Sequence, residues 1–214
     1  MNARVVSVQV GRIAPLGPDR VASGIVKHPV AGPVAVARLG LEGDEQADLS
    51  VHGGPDKAVY AYPASHYPRW AGEQPHLADR LEPGAFGENL TIEGLVEDHL
   101  CVGDIHAIGS ARLQVCQPRQ PCYKFALRLN DARAPKAMVR SSRSGWYYRV
   151  LSEGGLQAGD AIELVERPHP ELAFPRLVEI VNVGGATSEE LAVIGAAEGV
   201  AGWLRTQARA ALRG

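Results

Sequence analysis

Residues 117–124 read QPRQPCYK and combine a cysteine with two prolines and two basic side chains. Each proline fixes φ and lacks a backbone donor, so this pattern predicts a rigid turn rather than a helix or a central strand. Arg119 and Lys124 flank Cys122, and nearby cations favour the thiolate, the form of cysteine that binds metals and attacks electrophiles. The segment therefore indicates a site built around an activated sulfur. The alternative is that Cys122 is a small buried apolar residue, as free cysteines often are.

A second candidate loop, residues 48–57, contains His52, Gly53, Gly54 and Lys57. Adjacent glycines let the backbone approach a ligand closely and direct N–H groups at an anion, and a lysine can add a point charge to a phosphate. The alternative is a surface hairpin turn that carries a solvated lysine and a structural histidine. The spacing does not match a Walker loop, which ends in Gly-Lys-Ser or Gly-Lys-Thr.

Residues 84–90 form a third segment rich in glycine, and it leads into an apolar run. The amide of Asn89 offers a donor and an acceptor, which together can read the edge of a heterocycle. Asparagine and glycine also favour plain turns, so turn formation is the alternative here.

The chain after the cysteine turn is basic, with five lysine or arginine side chains and a single acid between residues 124 and 149. Arg133, Lys136 and Arg140 fall on one face of a predicted helix. That face either meets an anion or a partner protein, or is simply solvated. The small polar residues 141–145 predict either a lid over a site or a mobile loop.

The composition is that of an ordinary globular protein: 214 residues, 45% hydrophobic and 21% charged, enough for one domain with or without a small appendage. A formal net charge of −2 argues against a general binder of nucleic acid or of membrane surfaces. Three cysteines do not form a complete disulfide framework, which favours a reducing compartment and hence the cytoplasm. The apolar run that ends near Val10 is too short and too interrupted for a signal peptide or a membrane span.

Short apolar runs of strand length alternate with turn residues along most of the chain. These runs cover residues 5–10, 34–39, 59–62, 89–92, 105–108, 113–115, 146–151 and 162–165. Three Gly-Asp pairs, which begin at Gly43, Gly103 and Gly159, are typical of tight turns. Many short strands and few helices predict a mainly β protein, a barrel or a sandwich.

Two segments have helical patterns instead. One runs from about Phe125 to Arg140, and the other is the C-terminal region, where Thr187 and Glu190 predict a capping box and Gly195 a helix stop. Helices of this size cannot bury a core alone, so they should dock on the strands. We therefore divide the chain into a β domain at residues 1–167 and a three-helix domain at 168–214.

Several common redox and metal motifs are absent from the sequence. There is no GxGxxG segment after a strand, and three cysteines cannot supply the four ligands of an iron–sulfur cluster. Cys116 and Cys122 lie too far apart for a zinc knuckle. Cys116 ends an apolar run and Cys101 follows Leu100, so both are interpreted as core residues. Any redox chemistry would need a borrowed redox centre and electrons from outside the chain.

Three of these segments, 48–59, 84–90 and 117–124, resemble the sequence blocks of the MOSC-domain family, in the order and approximate spacing of its YiiM-like branch. Residues 145–151 and 158–160 add a fourth, weaker block, and the tail is similar to the three-helix domain that follows MOSC in that branch. Tyr60 and Tyr123 depart from the pattern, since histidine and tryptophan are expected there.

The resemblance implies a MOSC-type β-barrel with peripheral helices. It also implies the molybdenum cofactor (Mo-molybdopterin), and not pyridoxal phosphate, with Cys122 as the single protein ligand of the metal. A soft thiolate suits molybdenum, and glycine loops with basic residues suit a pterin that carries a phosphate. His52, Lys57, Asn89, Gly53 and Gly54 match family blocks and are expected near the cofactor.

Arg119 and Lys124 flank the proposed metal ligand and are expected to lower its pKa or to hold cofactor oxygens. Cys122 and His52 are then the catalytic candidates, the histidine as a proton donor, with water as the alternative donor.

The activity implied is reduction of N-hydroxylated compounds, such as hydroxylaminopurines or amidoximes, to amines or amidines. The oxygen of the N–OH group is abstracted and leaves as water, and two electrons come from a separate reductase of the flavoprotein or ferredoxin type. The expected partners are therefore that reductase and a small N-hydroxylated substrate. No nucleic-acid polymer or membrane is expected, and a homodimer is one possible assembly.

Two other functions need the same exposed thiolate. The chain could be a sulfur carrier or transferase with a persulfide on Cys122, or a carrier that holds the molybdenum cofactor without catalysis. Metal and pterin content separates the first from a reductase, and a turnover assay separates the second.

Overall fold

The computed structural model describes residues 3–49 and 53–214, which form short strands and six helices around one large sheet. The strands are β1 (Arg4–Val10), β2 (Ala14–Leu16), β3 (Val21–Ser23), β4 (His28–Pro29), β5 (Val34–Ala37), β6 (Gly40–Leu41), β7 (Val59–Pro63), β8 (Leu90–Glu93), β9 (Ile105–Ile108), β10 (Ala111–Pro118), β11 (Trp146–Ser152), β12 (Gly154–Leu156) and β13 (Ile162–Glu166). The helices are α1 (His66–Glu73), α2 (Tyr123–Leu129), α3 (Ala134–Ser141), α4 (Phe174–Val183), α5 (Ser188–Ala196) and α6 (Gly202–Ala211). Short 3-10 helices cover Pro55–Lys57, Pro75–Arg80 and Glu97–His99.

Eight strands form the main sheet in the order β13-β9-β10-β11-β7-β8-β1-β4. The neighbours are antiparallel except for β7 and β8, which are parallel and are connected through α1. All eight predicted apolar runs contain or overlap a strand, because their β-branched and aromatic residues pack against neighbours on both sides of the sheet. The strands that sequence reasoning missed have two or three residues each, too few to show a period of two.

The sheet curves until its two ends approach each other. Arg4 of β1 makes an isolated antiparallel bridge with Ala161, just before β13. The Val5 N–H donates to the Asp160 carbonyl at 2.9 Å, and the Ile162 N–H donates to the Ala3 carbonyl at 2.8 Å. Within the described ranges no continuous ladder joins these ends. The fold is therefore dominated by strands, as predicted, but the closed barrel that we predicted is not found.

One hydrophobic core lies between the sheet and the C-terminal helices. Leu113 and Trp146 of the sheet belong to the same buried cluster as Phe174, Leu177 and Leu204 of the helices. The three predicted C-terminal helices are present, and they dock on the strands because each has one apolar face that needs a partner. The boundary between residues 167 and 168 stays a prediction, since both sides share this core.

The helical segment after the cysteine turn is two helices rather than the single one predicted. Asn130 adopts the left-handed conformation, with φ of 50°, and ends α2. Pro135 lies in the first turn of α3, a position that proline favours at a helix start and disfavours inside a helix. The sequence also gave no signal for α1, whose Pro68 and Gly72 lower helix propensity.

The capping box at the start of α5 is confirmed. The Glu190 N–H donates to the Thr187 hydroxyl at 3.1 Å, and the Thr187 N–H donates to the Glu190 carboxylate at 2.8 Å. The predicted stop at Gly195 lies inside the helix, which ends one residue later at Ala196. Glycine suits this position because helix packing is tight: a Cβ on Gly195 would lie 3.1 Å from Cγ of Arg209.

The Gly-Asp pairs behave as tight turns. Gly43, Gly103 and Gly159 all have positive φ, of 83°, 93° and 96°, which glycine adopts without steric cost. The Asp104 and Asp160 carboxylates each accept a backbone N–H at 2.9 Å within their own turn.

Candidate functional site

The candidate site is a pocket between the cysteine turn, the glycine loops and the segment after β3. It encloses about 590 Å³, part of it open to solvent. Five of the eight predicted site residues line it: Lys57, Asn89, Arg119, Cys122 and Lys124. These residues are far apart in the sequence: Lys57 and Asn89 lie just before β7 and β8, while Arg119, Cys122 and Lys124 follow β10, and the fold brings the three segments together around the pocket.

Of the other three predicted residues, His52 lies outside the described residues. Gly54 has φ of 89° and allows the tight turn into the 3-10 helix at Pro55–Lys57. A Cβ on Gly53 would lie 2.7 Å from the side-chain oxygen of Gln46, so a larger residue here would force neighbouring side chains to shift. Neither glycine is among the described residues that line the pocket, and their role in cofactor binding stays a prediction.

Cys122 differs from the other two cysteines in exposure and in position. It is partly exposed, lines the pocket and directly precedes α2, where its carbonyl accepts the Phe125 N–H at 3.0 Å. Cys101 and Cys116 are buried, and burial raises the pKa of both thiols. The Cys116 thiol donates to the Asp56 carbonyl at 3.1 Å. The burial of Cys101 and Cys116 confirms the prediction that both are core residues, and Cys122 is the cysteine that is not buried.

Arg119 is a buried cation in the pocket lining, although burial disfavours a charge. The guanidinium lies over two aromatic faces, 4.9 Å from the Tyr60 ring centroid and 5.3 Å from that of Phe125. One terminal nitrogen donates to the Phe86 carbonyl. The Nε atom is buried and has no partner among the described residues. A buried donor without a partner is costly, and the residue that carries it lines the same pocket as Cys122.

Lys57 is held in the pocket by the 3-10 helix that follows the glycine pair, where its N–H donates to the Gly54 carbonyl at 3.0 Å. Burial, and then the neighbouring charge of Arg119, lower the pKa of Lys57 below its ordinary value. Lys124 lies on the other side of Cys122 and donates from Nζ to the Ala22 carbonyl at 2.8 Å. The pocket thus brings several cations around one thiol.

Asn89 forms hydrogen bonds within the protein through both ends of its amide. Its nitrogen donates to Asp44 at 2.8 Å and to the Gln9 carbonyl at 3.3 Å, and its oxygen accepts the Tyr60 N–H at 3.0 Å. These bonds tie β1, β7 and the segment at Asp44 together. Among the described contacts, one lone pair of the amide oxygen is left for the predicted recognition of a heterocycle edge.

A buried ion pair, which sequence reasoning missed, forms another wall of the pocket. The Lys27 ammonium is paired with the Asp44 carboxylate, and both side chains are less than a tenth exposed. Asp44 also accepts the Gly11 N–H at 2.8 Å. Burial lowers the pKa of Lys27, while Asp44 opposes that change. Asp44 was interpreted only as part of a turn, and Lys27 has no motif around it.

Glu88 explains the shape of the third loop. Its buried carboxylate accepts the Gly84 N–H at 2.7 Å, the Phe86 N–H at 3.0 Å and the Thr91 hydroxyl at 3.0 Å, and also the Tyr67 hydroxyl. A fully hydrogen-bonded carboxylate can be buried at little cost. The loop is therefore fixed from within, and it presents the Phe86 carbonyl to Arg119.

The segment 141–145 is fastened to buried side chains. The Ser144 carbonyl accepts the Tyr60 hydroxyl at 2.8 Å, and the Gly145 N–H donates to Glu97 at 2.7 Å. Gly145 could not be replaced without a clash, because a Cβ would lie 2.3 Å from the Ala61 carbonyl oxygen. These contacts oppose the interpretation of this segment as a lid.

Tyr60 and Tyr147 give the pocket an aromatic side, with ring centroids 5.1 Å apart. The sequence predicts a strand at Tyr60, where it also departs from the family pattern, and another strand at Tyr147. Both belong to strands, and alternation along a strand alone cannot say which face lines a cavity.

Within the described ranges, no three His, Cys, Asp or Glu side chains are grouped so that they could hold a metal ion. A search of the same residues finds no helix with both the length and the apolar character to cross a membrane.

Comparison with known proteins identifies the family. Residues 48–163 match the MOSC domain model. YiiM of Escherichia coli K12 is 43% identical over 162 residues, which cover 76% of this chain and 72% of that protein. The crystal structure of YiiM from Geobacillus stearothermophilus superposes with a TM-score of 0.81 at 35% identity, over 98% of this chain and 99% of that chain. A protein of Gibberella moniliformis named reductase is 40% identical over 185 residues, 84% of this chain but 33% of that longer protein.

The chain belongs to the MOSC domain family. Within it, the chain falls in the YiiM-like branch, since the likeness to the two YiiM proteins extends across the strands and the C-terminal helices.

Proposed function

We propose that this protein binds the molybdenum cofactor in the Cys122 pocket and reduces N-hydroxylated compounds with electrons from a separate protein. The observation that carries the proposal is the joint position of Cys122 and Arg119. A partly exposed thiol lies in one pocket with a buried guanidinium whose Nε has no partner in the described structure.

The donor set fits such a cofactor. A thiolate is a soft ligand that suits molybdenum better than a carboxylate or hydroxyl does. Lys57, Arg119 and Lys124 supply the cationic donors that a phosphate or the oxygens of a pterin require. The Nε of Arg119, which has no partner among the described residues, would gain one on binding, and this would offset the cost of its burial.

The residues of this chain would bind the cofactor, orient the substrate and shield the site from water. Cys122 would hold the metal, and Arg119 would keep a fixed direction because two aromatic rings and the Phe86 carbonyl restrain its guanidinium. Tyr60 and Tyr147 would exclude water from one side and contact a planar substrate. When bound, the cofactor supplies the oxygen-atom-transfer and redox chemistry.

Protons must reach the oxygen that leaves the substrate as water. His52 remains the candidate donor named from the sequence, with water as the alternative. Lys57 and Lys27 also carry protons at the pocket wall, and burial lowers the pKa of each, which makes both better acids than an exposed lysine.

The direct test is the molybdenum and pterin content of protein made in a host supplied with molybdate, followed by turnover of an amidoxime and of a hydroxylaminopurine with reduced viologen. The proposal expects near-stoichiometric metal and pterin, and activity that depends on both. Metal-free protein that cannot be loaded, with sulfane sulfur on Cys122, would instead identify a sulfur carrier. Loaded protein without turnover of either substrate would identify a cofactor carrier.

A further inference from the structure

Asp56 connects the second loop to the C-terminal helices. Its Oδ2 accepts the N–H of Gly202, the first residue of α6, at 2.8 Å. Its Oδ1 accepts from Nε of Arg149 at 2.7 Å, and Nη2 of Arg149 lies 2.6 Å from the same oxygen. Asp56 therefore caps α6, and the next residue in the chain, Lys57, lines the pocket.

The backbone of Asp56 is held by the strand that leads to the cysteine turn. Its carbonyl accepts from Nε2 of Gln117 at 2.6 Å and from the Cys116 thiol at 3.1 Å. The Gln117 side chain in turn accepts from Nε1 of Trp203 at 2.7 Å. Side chain and backbone of Asp56 are thus fixed by different elements.

The turn before α6 is fixed to the same strands. The Ala201 N–H donates to the Cys116 carbonyl at 3.0 Å. Arg149 donates to the carbonyls of Glu198 and Val200 at 3.1 and 3.5 Å. The C-terminal helices are therefore attached at the two chain segments that carry Lys57 and Cys122.

We propose that Asp56 is a positioning residue, through which the docked N-terminus of α6 sets the place of Lys57 in the Cys122 pocket. The carboxylate is held between a helix N-terminus and a guanidinium, both of which favour a negative charge. Because Asp56 is attached in this way, the short 3-10 helix at Pro55–Lys57, which contains it, has little freedom to move. The C-terminal helices thereby take part in the site, although none of their described residues line the pocket.

The first test needs no cofactor. Cys122 is the one cysteine that is not buried, so its modification can be followed with a neutral reagent, iodoacetamide, and with an anionic one, 5,5′-dithiobis(2-nitrobenzoate). The rate with the anionic reagent divided by the rate with the neutral reagent measures the positive charge near the thiol. Lys57→Met should lower this ratio by roughly threefold to tenfold, since local charge accelerates encounter with anions.

Asp56→Asn should also lower this ratio, because the displacement of Lys57 outweighs the loss of the Asp56 negative charge, which by itself would raise the ratio. In the Lys57→Met background, Asp56→Asn should not lower the ratio further, because the effects of residues that act through each other are not additive. Simple addition of the two effects would overturn the proposal.

Gly202→Pro isolates the contact between Asp56 and the helix. Proline puts its Cδ where the N–H that Asp56 accepts now lies, so the carboxylate loses this bond and must withdraw from the start of α6. The helix should tolerate the change, since proline suits the first position of a helix and Ala201, with ψ of 140°, already has the conformation that precedes proline. Gly202→Ala keeps the N–H and is its matched control. The proline variant should lower the rate ratio and the alanine variant should not. An unchanged ratio in folded Gly202→Pro would also overturn the proposal.

Glu190→Gln is the control for stability alone. It weakens the capping box of α5 and the ion pair with Arg176 at 2.7 Å, away from the loop. It should lower the melting temperature and leave the rate ratio unchanged. An equal loss of the ratio in this variant would mean that general loosening of the helices, not Asp56, controls the pocket.

The second readout rests on the proposed function: Asp56→Asn should release pterin faster than wild type during gel filtration. If the wild type holds no pterin, the proposed function fails, while the thiol measurements still decide the role of Asp56.

Discussion

The guanidinium carbon of Arg119 lies 4.9 Å from the centroid of the Tyr60 ring. This contact joins the turn after β10 to β7 across the floor of the pocket. A planar cation over an aromatic face is fixed in direction as well as in position. The guanidinium of Arg119 is therefore already held in one orientation in the pocket lining.

Arg119→Lys should consequently fail to replace Arg119, because an ammonium has neither the plane nor the fork of donors. We expect the fraction of protein that retains pterin to fall by roughly tenfold, the effect of losing about 1.4 kcal/mol of binding free energy. Pterin fluorescence after gel filtration measures it, and Arg133→Lys, at an exposed position, is the matched control. Full retention in Arg119→Lys would contradict a role in holding the cofactor.

Cys122→Ser replaces a soft ligand with a hard, protonated one. Reductase activity should fall by orders of magnitude, while the free energy of unfolding falls by no more than about 1–2 kcal/mol, as for an ordinary substitution at a partly exposed position. Cys101→Ser and Cys116→Ser should do the reverse, since both thiols are buried. Turnover and melting temperature should be measured on all three variants. Normal turnover in Cys122→Ser, with loss of turnover in folded Cys116→Ser, would show that Cys116 is the ligand instead.

The buried pair of Lys27 and Asp44 gives a prediction about stability. Lys27→Met leaves the Asp44 carboxylate buried without its cation, and such a loss typically costs about 3–5 kcal/mol. The double variant Lys27→Met with Asp44→Asn should recover part of that free energy, because no buried charge is left unpaired. Recovery is not complete, since Gly11 and Asn89 donate to different oxygens of Asp44 and an amide keeps only one of them. Urea unfolding of the two single variants and the double variant measures the coupling. Additive losses would mean that the pair does not act as a unit.

His106 predicts how stability depends on pH. Its ring is buried and bonded to the Tyr148 hydroxyl at 2.7 Å, and burial lowers the pKa of His106 to about 4. The unfolded chain, with a histidine pKa of about 6.5, then binds more protons than the native state between these values. Stability should therefore fall as the pH drops from about 6.5 toward about 4, by an amount on the order of 3 kcal/mol. Chemical unfolding at pH 7 and pH 5 tests this, and His106→Gln should reduce the difference.

The source of electrons can be tested with purified components. We predict no reduction of an N-hydroxylated substrate with NAD(P)H alone, because the sequence contains no dinucleotide fingerprint and too few cysteines for a cluster. Activity should appear with reduced viologen or with a flavoprotein or ferredoxin-type reductase. Turnover driven by NAD(P)H without any added protein would contradict this prediction.

The sequence by itself determined the elements that depend on local patterns. Short apolar runs bounded by turn residues located seven of the eight strands of the main sheet, and the Thr187–Glu190 spacing located the start of α5. The prolines beside Cys122 and the glycines beside Lys57 located two loops of the candidate site. Such signals can be read because the interactions behind them lie within a few residues of each other.

Tertiary structure alone decided how the pocket is completed and supported. Lys27 and Asp44 are 17 residues apart, and Asp56 and Gly202 are 146 apart, so no local pattern joins them. Tyr60 and Tyr147 line the pocket because of the way neighbouring strands twist and pair. Tertiary structure also decided the curvature of the sheet, whose ends approach at the bridge between Arg4 and Ala161. This curvature depends on the packing of all the strands and not on any one of them.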